Sequence, residues 1–493
     1  MAKKKPVPQP YPKPDQIQIR GNDIFCPLKG GWRKATPEER IRQEFIQHLH
    51  GHYGYALEQM DQERKTQHGR GSPRTDIVVY AAPGSKTPII VVECKAESVN
   101  IHLRDYGPDA AEIELRSLNV LIGPNASGKS NLIEAIGFSQ ASPVDLGLPI
   151  REGGGILEWL WKGSRKTPIA EVNATIRYAG GSMPLRHRIS FTRVGQRFEL
   201  VDEAVENEHP DTSRSGEVRF YYRYQKGHPV IRKYAQQAEK ESRRVRSRRK
   251  IQSEDLRSDQ SILSQRKDPD QYPEITYLGN QYSKIKLYRE WNLGHYAPPR
   301  LPQKADLPGD FLLEDASNLG LVLNNLEHQG EVWSLLLEKL KQFHEPFRDI
   351  STKIEGGTVQ IFLREDGLHQ PIPATRLSDG TLRYLSLLSI LCHPSPPRLV
   401  CIEEPELGLH PDILPTLAEL LVEASHRTQL IVTTQSDILV DALTEMPDAI
   451  LVCEKYDGST TMKRLNKEDL AEWLKKYSLG ELWRMGEIGG KRW

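Results

Sequence analysis

The sequence predicts an α/β protein. Its parts are a mainly parallel sheet with helices, an antiparallel β subdomain carrying a charged helical insertion, and a small N-terminal α/β domain. Three observations predict it. Leu399-Val400-Cys401-Ile402, Leu430-Ile431-Val432 and Ile450-Leu451-Val452 are near-continuous apolar runs separated by helical patterns, which is how parallel strands buried on both faces read. From about 169 to 232 the apolar residues alternate instead. Val172, Ala174, Ile176 and Tyr178 fall on one face, Val218, Phe220, Tyr222 and Tyr224 on another, and Gly180-Gly181 and Lys226-Gly227 supply turns. Near the N-terminus, Thr36-Pro37-Glu38-Glu39 reads as a capping box with proline at the first helical position, and Ile41, Phe45 and Leu49 give the apolar stripe behind it.

The elements then follow in order. Segment 1–30 is rich in Lys and Pro and reads as a disordered tail. Residues 31–97 form the first domain, in which Asp76–Tyr80 and Pro88–Lys95 are strands joined through a Pro-Gly-Ser turn. Residues 98–493 form the second. It starts with strands at Val99–Leu103 and Ala111–Leu115 and carries the helical insertion at about 233–345. At 493 residues the chain has room for two to four domains. Its 67 basic and 66 acidic residues nearly cancel, so only local clusters can attract a polyanion. Cys26, Cys94, Cys392, Cys401 and Cys453 lack metal-ligand spacing and suit a reducing cytoplasm. No signal peptide or membrane-length apolar run is legible, so a cytoplasmic chain without membrane contact is expected.

The chemistry starts at Gly123-Pro124-Asn125-Ala126-Ser127-Gly128-Lys129-Ser130. This stretch follows the apolar run Leu118–Ile122 and precedes a helical pattern from Asn131. Strand, glycine-rich loop, Lys-Ser and helix together make a phosphate-binding loop. Backbone N–H groups curl around an anion, and the helix N-terminus adds partial positive charge. Lys129 would reach the β/γ-phosphates and Ser130 would ligate Mg²⁺. The Leu399–Ile402 run ends in Glu403-Glu404-Pro405-Glu406, acids at the C-terminal end of a buried strand, where α/β sheets bind ligands. Glu403 would hold Mg²⁺ and Glu404 would orient and deprotonate the attacking water. Ser378 and Gly380 open a helix. They read equally as a second anion device and as a plain N-cap. Thr433-Thr434-Gln435-Ser436 closes the next strand, within reach of a γ-phosphate.

In this order, phosphate loop, Leu377-Ser378-Asp379-Gly380, Glu403-Glu404-Pro405-Glu406-Leu407-Gly408-Leu409-His410-Pro411 and Thr433-Thr434-Gln435-Ser436 resemble the ABC-type ATPases, over about residues 98–493. The similarity is to the SMC/RecF-like branch that includes the ATPases of overcoming-lysogenisation-defect nucleases. It extends to the Gly480-Glu481-Leu482-Trp483 and Gly489-Gly490 tail. The resemblance implies a homodimer of heads sandwiching ATP, with Ser378 and Gly380 of one chain completing the Lys129 site of the other, and a separate effector protein is a further partner. Glu403 stands where many relatives have Asp, and Gln435 where many have His, which implies slow turnover and a switch. The insertion before Ser378 is too short for long coiled-coil arms, so chromosome tethering is disfavoured.

Asp76 and the Glu93-x-Lys95 pair end adjacent strand-like runs, and strand period two puts Glu93 and Lys95 on one face. Two carboxylates would bind a divalent metal and Lys95 would stabilise the transition state of phosphodiester cleavage. The spacing resembles the PD-(D/E)xK nuclease superfamily. Residues 36–97 also resemble the N-terminal domain of type I restriction enzyme R subunits. Glu39 reads either as a further metal ligand or as the capping-box acid. Arg243, Arg244, Arg246, Arg248, Arg249 and Lys250 read either as a solvated run or as a helix face contacting DNA phosphates, with Tyr221, Tyr222 and Tyr224 stacking bases. The expected function is an ATPase head dimer gating Mg²⁺-dependent DNA cleavage in defence against phage or foreign DNA. The alternatives are a non-cleaving ATP-dependent sensor that controls a toxic effector, and a DNA-repair ATPase.

Overall fold

The computed structural model describes residues 19–20, 23–34, 42–43, 46–47, 49–50, 55–65, 74–80, 82, 88–92, 101–102, 114–163, 167–178, 183–210, 218–225, 228–234, 246–250, 256–456 and 459–490. The chain divides into two units, Met1–Ser98 and Val99–Trp493.

In the first unit, β1 (Ile19–Arg20), β2 (Asp23–Cys26) and β3 (Gly31–Lys34) make an antiparallel sheet. Strands therefore begin inside the segment 1–30 expected to be a tail. The reason is visible in the pleat: Ile24 and Cys26 alternate onto a fully buried face, and Cys26 Sγ lies 3.2 Å from Gln62 Oε1. A second antiparallel sheet holds β4 (Met60–Lys65), β5 (Arg74–Tyr80) and β6 (Pro88–Val92). Leu49 lies in the helical stretch its spacing predicts and shares a small core with Ile46 and Met60. The capping box Thr36–Glu39, with Ile41 and Phe45, lies outside the described residues.

The second unit has three layers. Its central sheet runs, in spatial order, β15 (Lys286–Tyr288), β20 (Leu399–Glu403), β21 (Gln429–Thr433), β8 (Leu118–Ile122), β22 (Ile450–Tyr456) and β23 (Ser459–Arg464). In chain order, β7 (Ile101–His102) is followed by β8 (Leu118–Ile122), α1 (Lys129–Ala141), α2 (Leu148–Glu152), α3 (Ile156–Trp159), β9 (Ala170–Ile176), β10 (Leu185–Val194), β11 (Arg197–Asn207), β12 (Phe220–Gln225), β13 (His228–Tyr234) and β14 (Arg246–Lys250). Next come α4 (Ile262–Gln265), α5 (Pro273–Tyr282), β15 (Lys286–Tyr288), β16 (Gln303–Lys304), α6 (Leu319–Glu327), α7 (Gly330–Phe343), β17 (Phe347–Glu355), β18 (Thr358–Glu365), β19 (Ile372–Pro373) and α8 (Asp379–Leu391). The chain closes with β20 (Leu399–Glu403), α9 (Leu414–Ser425), β21 (Gln429–Thr433), α10 (Asp437–Asp441), β22 (Ile450–Tyr456), β23 (Ser459–Arg464), α11 (Lys467–Leu470) and α12 (Leu479–Met485).

Five strands of the central sheet are parallel and β23 adds an antiparallel edge. Period-two alternation sends Val120, Val400, Val432 and Ile450 to one core with α6, α8, α9 and α12. It sends Leu121, Cys401, Ile431 and Leu451 to the other with α1, α5 and the antiparallel sheet. That second sheet runs β14-β13-β12-β11-β10-β9-β7.

Four expectations need correction. Glu114 and Leu115 are not strand, because their carbonyls accept from Arg464 and Gln429 side chains instead of a neighbouring strand. Arg246–Lys250 is a strand and not a helix face. Its backbone pairs with β13, with Arg248 opposite Arg232, and so covers an edge a helix would leave open. Arg243 and Arg244 lie outside the described residues. A bulge on β12 puts Phe220 opposite Glu206 and Tyr222 opposite Val205. Tyr221 and Tyr222 are consequently both buried and unable to stack on bases, while Phe220 leaves that core to sit under Arg223 and Arg232 at 4.9 and 4.4 Å. Finally, the helical insertion expected at about 233–345 is interrupted by β15, an edge strand of the central sheet.

Candidate functional site

Between β8 and α1 the chain makes the loop Gly123–Gly128. Gly123 (φ 146°) and Gly128 (φ 99°) take backbone conformations that L side chains rarely adopt. A Cβ on Gly123 would come within 2.1 Å of the Cys453 carbonyl, and one on Gly128 within 2.5 Å of Thr460 Oγ1. Strands β22 and β23 thus mould the loop from below. Asn125 and Ala126 form its exposed tip and Ser127 is buried. The buried Lys129 ammonium donates to the carbonyls of Gly123 at 2.7 Å and Pro124 at 3.0 Å. Burial lowers its pKa, opposed by the charges of Cys453, Glu404 and Glu403. Ser130 is exposed on the first turn of α1. An exposed hydroxyl, a lysine and backbone amides of a glycine-bounded loop at a helix start fit a nucleotide phosphate with its Mg²⁺. Ser127 Oγ, buried without a hydrogen-bond partner among the described residues, fits the same group.

Opposite the loop stand the ends of β20 and β21. Glu403 ends β20, and Glu404 follows with φ 44°. The left-handed turn at a non-glycine residue is strain held by the surroundings. Glu404 N–H donates to the Thr433 carbonyl at 3.0 Å, and Gln435 Nε2 donates to the Glu404 carboxylate. The Glu403 carboxyl is pushed above its usual range by burial, which outweighs its ion pair with Arg289. Glu406 is pushed up by burial as well. Its Oε1 accepts from Thr434 Oγ1 at 2.6 Å and Gln435 N–H at 2.9 Å, while Oε2 has no partner among the described residues. The structure therefore brings Lys129, Glu403, Glu404 and Gln435 to one end of the sheet. Among the described residues no group of three or more His, Cys, Asp or Glu side chains is arranged to hold a metal.

Ser378 caps α8, its hydroxyl accepting from Thr381 N–H at 3.0 Å. Gly380 packs so closely that a Cβ would meet the Gly408 carbonyl at 2.6 Å. Arg300 fixes the same turn through Leu377 O and Asp379, and Arg383 donates to Leu407 O. The described contacts thus join Gly380 and Arg383 to the loop after β20 and keep Ser378 on its own helix.

Arg289 and its partner Glu134 went unread as site residues in the sequence. Arg289, just past β15, ion-pairs Glu403 at 3.0 Å and Glu134 of α1 at 3.3 Å. Burial disfavours its charge, but the two acids outweigh burial and raise its pKa. Nothing in Ile285-Lys286-Leu287-Tyr288 marks so short a strand, and its partner β20 lies more than a hundred residues on.

In the N-terminal unit, Asp76 lies on β5, one residue before the pair Ile77–Val92 that ends the ladder with β6. Glu93 and Lys95, like Glu39, lie outside the described residues.

A model for the type I restriction enzyme R protein N terminus matches residues 37–115, so the N-terminal domain is restriction-enzyme-like. The Old nuclease of Escherichia phage P2 is 28% identical over 170 residues, which cover 29% of this chain and 28% of the phage protein. Two solved structures overlay on the chain. One is an SmcHead bound to the C-winged helix domain of ScpA, with TM-score 0.47, 14% identity and coverage of 76% of this chain and 99% of that one. The other is an Smc head domain with an extended coiled coil bound to the C-terminal domain of ScpA, from Pyrococcus furiosus, with TM-score 0.45, 13% identity and coverage of 77% and 98%. No helix among the described residues is long and apolar enough to cross a membrane. The model described as "AAA domain, putative AbiEii toxin, Type IV TA system" matches residues 118–441, well over half of the chain, and the chain belongs to this family of ATPase-type domains.

Proposed function

We propose that the chain binds and hydrolyses ATP between the Gly123–Ser130 loop and the ends of β20 and β21. In this reading nucleotide state gates DNA cleavage by the N-terminal domain. The observation that carries the proposal is the convergence of Lys129 and the strained Glu404 at one end of a parallel sheet. The loop amides and Lys129 hold the phosphates, and Ser130 and Glu403 hold Mg²⁺, which supplies neutralising charge to them. Glu404 orients the attacking water and takes its proton. Its positive φ turns the carboxylate off the line of β20, and Gln435 holds it there. That contact occupies the base until it is broken, which favours a slow switch over a motor.

Ser378 and Gly380 complete the site of a second copy in an ATP-bridged homodimer. Support for this is that Gly380 packs on Gly408 and Arg383 donates to Leu407 O, so the capped turn of α8 lies beside the loop that follows Glu404. For cleavage, Asp76 and Glu93 bind the divalent metal and Lys95 stabilises the scissile phosphate. Support for this part is the restriction-enzyme match over 37–115 and the β5–β6 register. The biological role is defence against foreign DNA. Lys129→Ala lowers nucleotide affinity about 100-fold or more. Glu404→Gln retains binding and slows turnover about 10²–10⁴-fold. Both are read by equilibrium binding and phosphate release. Unchanged hydrolysis in Glu404→Gln would reject its role.

A further inference from the structure

We propose that Arg289 is the built-in counter-cation of Glu403 and exchanges there with a divalent metal. The inference rests on reading Glu403 as a metal ligand. The guanidinium makes a 3.0 Å ion pair with Glu403 Oε1 and a 3.3 Å pair with Glu134 Oε1, bridging the end of β20 to the phosphate-loop helix. Two buried or half-buried carboxylates facing one another are costly unless a cation lies between them. Arg289 fills that place with a planar group that cannot lose its charge. A guanidinium and a divalent ion would repel each other at one carboxylate, so Arg289 would have to leave Glu403 for that residue to hold a metal.

The exchange has a mechanical connection. Arg289 is followed closely by Trp291, whose indole N–H donates to the Glu403 carbonyl at 3.3 Å and whose ring stacks on Tyr288 at 5.8 Å. Arg383 of α8 lies over the same indole at 5.4 Å. Release of Arg289 therefore loosens a segment that joins the acidic end of β20 to the helix carrying Ser378 and Gly380. Arg289 is a positioning residue, acting through Glu403.

The test is Mn²⁺ binding to the full, nucleotide-free chain, followed by electron paramagnetic resonance of the free ion. Arg289→Ala and the more conservative Arg289→Gln are compared with wild type, and each fold is checked by circular dichroism. The proposal expects Mn²⁺ to bind about tenfold tighter or more in both variants, and Glu403→Gln in the Arg289→Gln background to cancel the gain. Equal or weaker Mn²⁺ binding in a folded variant would overturn it. A gain that survives Glu403→Gln would overturn it too. Failure of the parent reading shows separately: Glu403→Gln alone would then leave Mn²⁺·ATP affinity and hydrolysis at wild-type levels.

Discussion

Glu404 concentrates the conflict between stability and chemistry. A glutamate at φ 44° lies in a region that costs on the order of 1 kcal/mol or more to occupy. Glycine occupies it freely. Glu404→Gly should therefore raise the unfolding free energy by about 1 kcal/mol while ATP hydrolysis falls to background, measured by urea denaturation beside phosphate release. Loss of stability in this variant would show that the carboxylate's contact with Gln435 outweighs the strain. Glu406 gives a pH test. Burial raises its folded pKa, so folding favours the protonated acid. Stability from this group is complete below the unfolded carboxylate pKa of about 4.3 and is lost as pH rises through the raised folded value. Glu406→Gln keeps an acceptor for Thr434 and Gln435 and cannot ionise. Its stability relative to wild type should rise from pH 4 to pH 7. Parallel stability curves would contradict the assignment.

At the level of elements, legibility followed how local the determinant was. The phosphate loop was readable because its glycines, lysine and flanking apolar residues act within one strand–loop–helix unit. The parallel strands were readable because both faces of each are buried, which leaves an apolar run such as Leu430-Ile431-Val432. The β12 bulge was not readable: Tyr221 and Tyr222 alternate like any strand residues until Glu206 pairs with Phe220. Nor was β15, whose three residues gain their partner only when β20 lies alongside. Ser378 illustrates a reading left open between cap and anion device. The structure supplies the cap, and the same hydroxyl stays at the helix start where a partner's phosphate would meet it. Ser378→Ala should cost about 1 kcal/mol through the lost cap. Gly380→Ala should cost about 1–3 kcal/mol by pushing α8 off the Gly408 carbonyl. Both are read from chemical denaturation. A neutral Gly380→Ala would mean the Gly408 loop yields freely.

On the scale of the whole molecule, an ATPase-type domain of the AAA family follows a restriction-enzyme-like domain in one chain. Under the proposed function, nucleotide state controls DNA cleavage. The direct measurement is nicking and linearisation of plasmid DNA by the full chain with Mg²⁺ or Mn²⁺, with and without ATP, beside Asp76→Ala, Lys95→Ala and Lys129→Ala. Cleavage should depend on ATP in wild type, disappear in Asp76→Ala and Lys95→Ala, and lose its ATP response in Lys129→Ala. Absence of cleavage under every condition, with ATP hydrolysis intact, would contradict that function and leave an ATP-dependent switch acting through a separate effector.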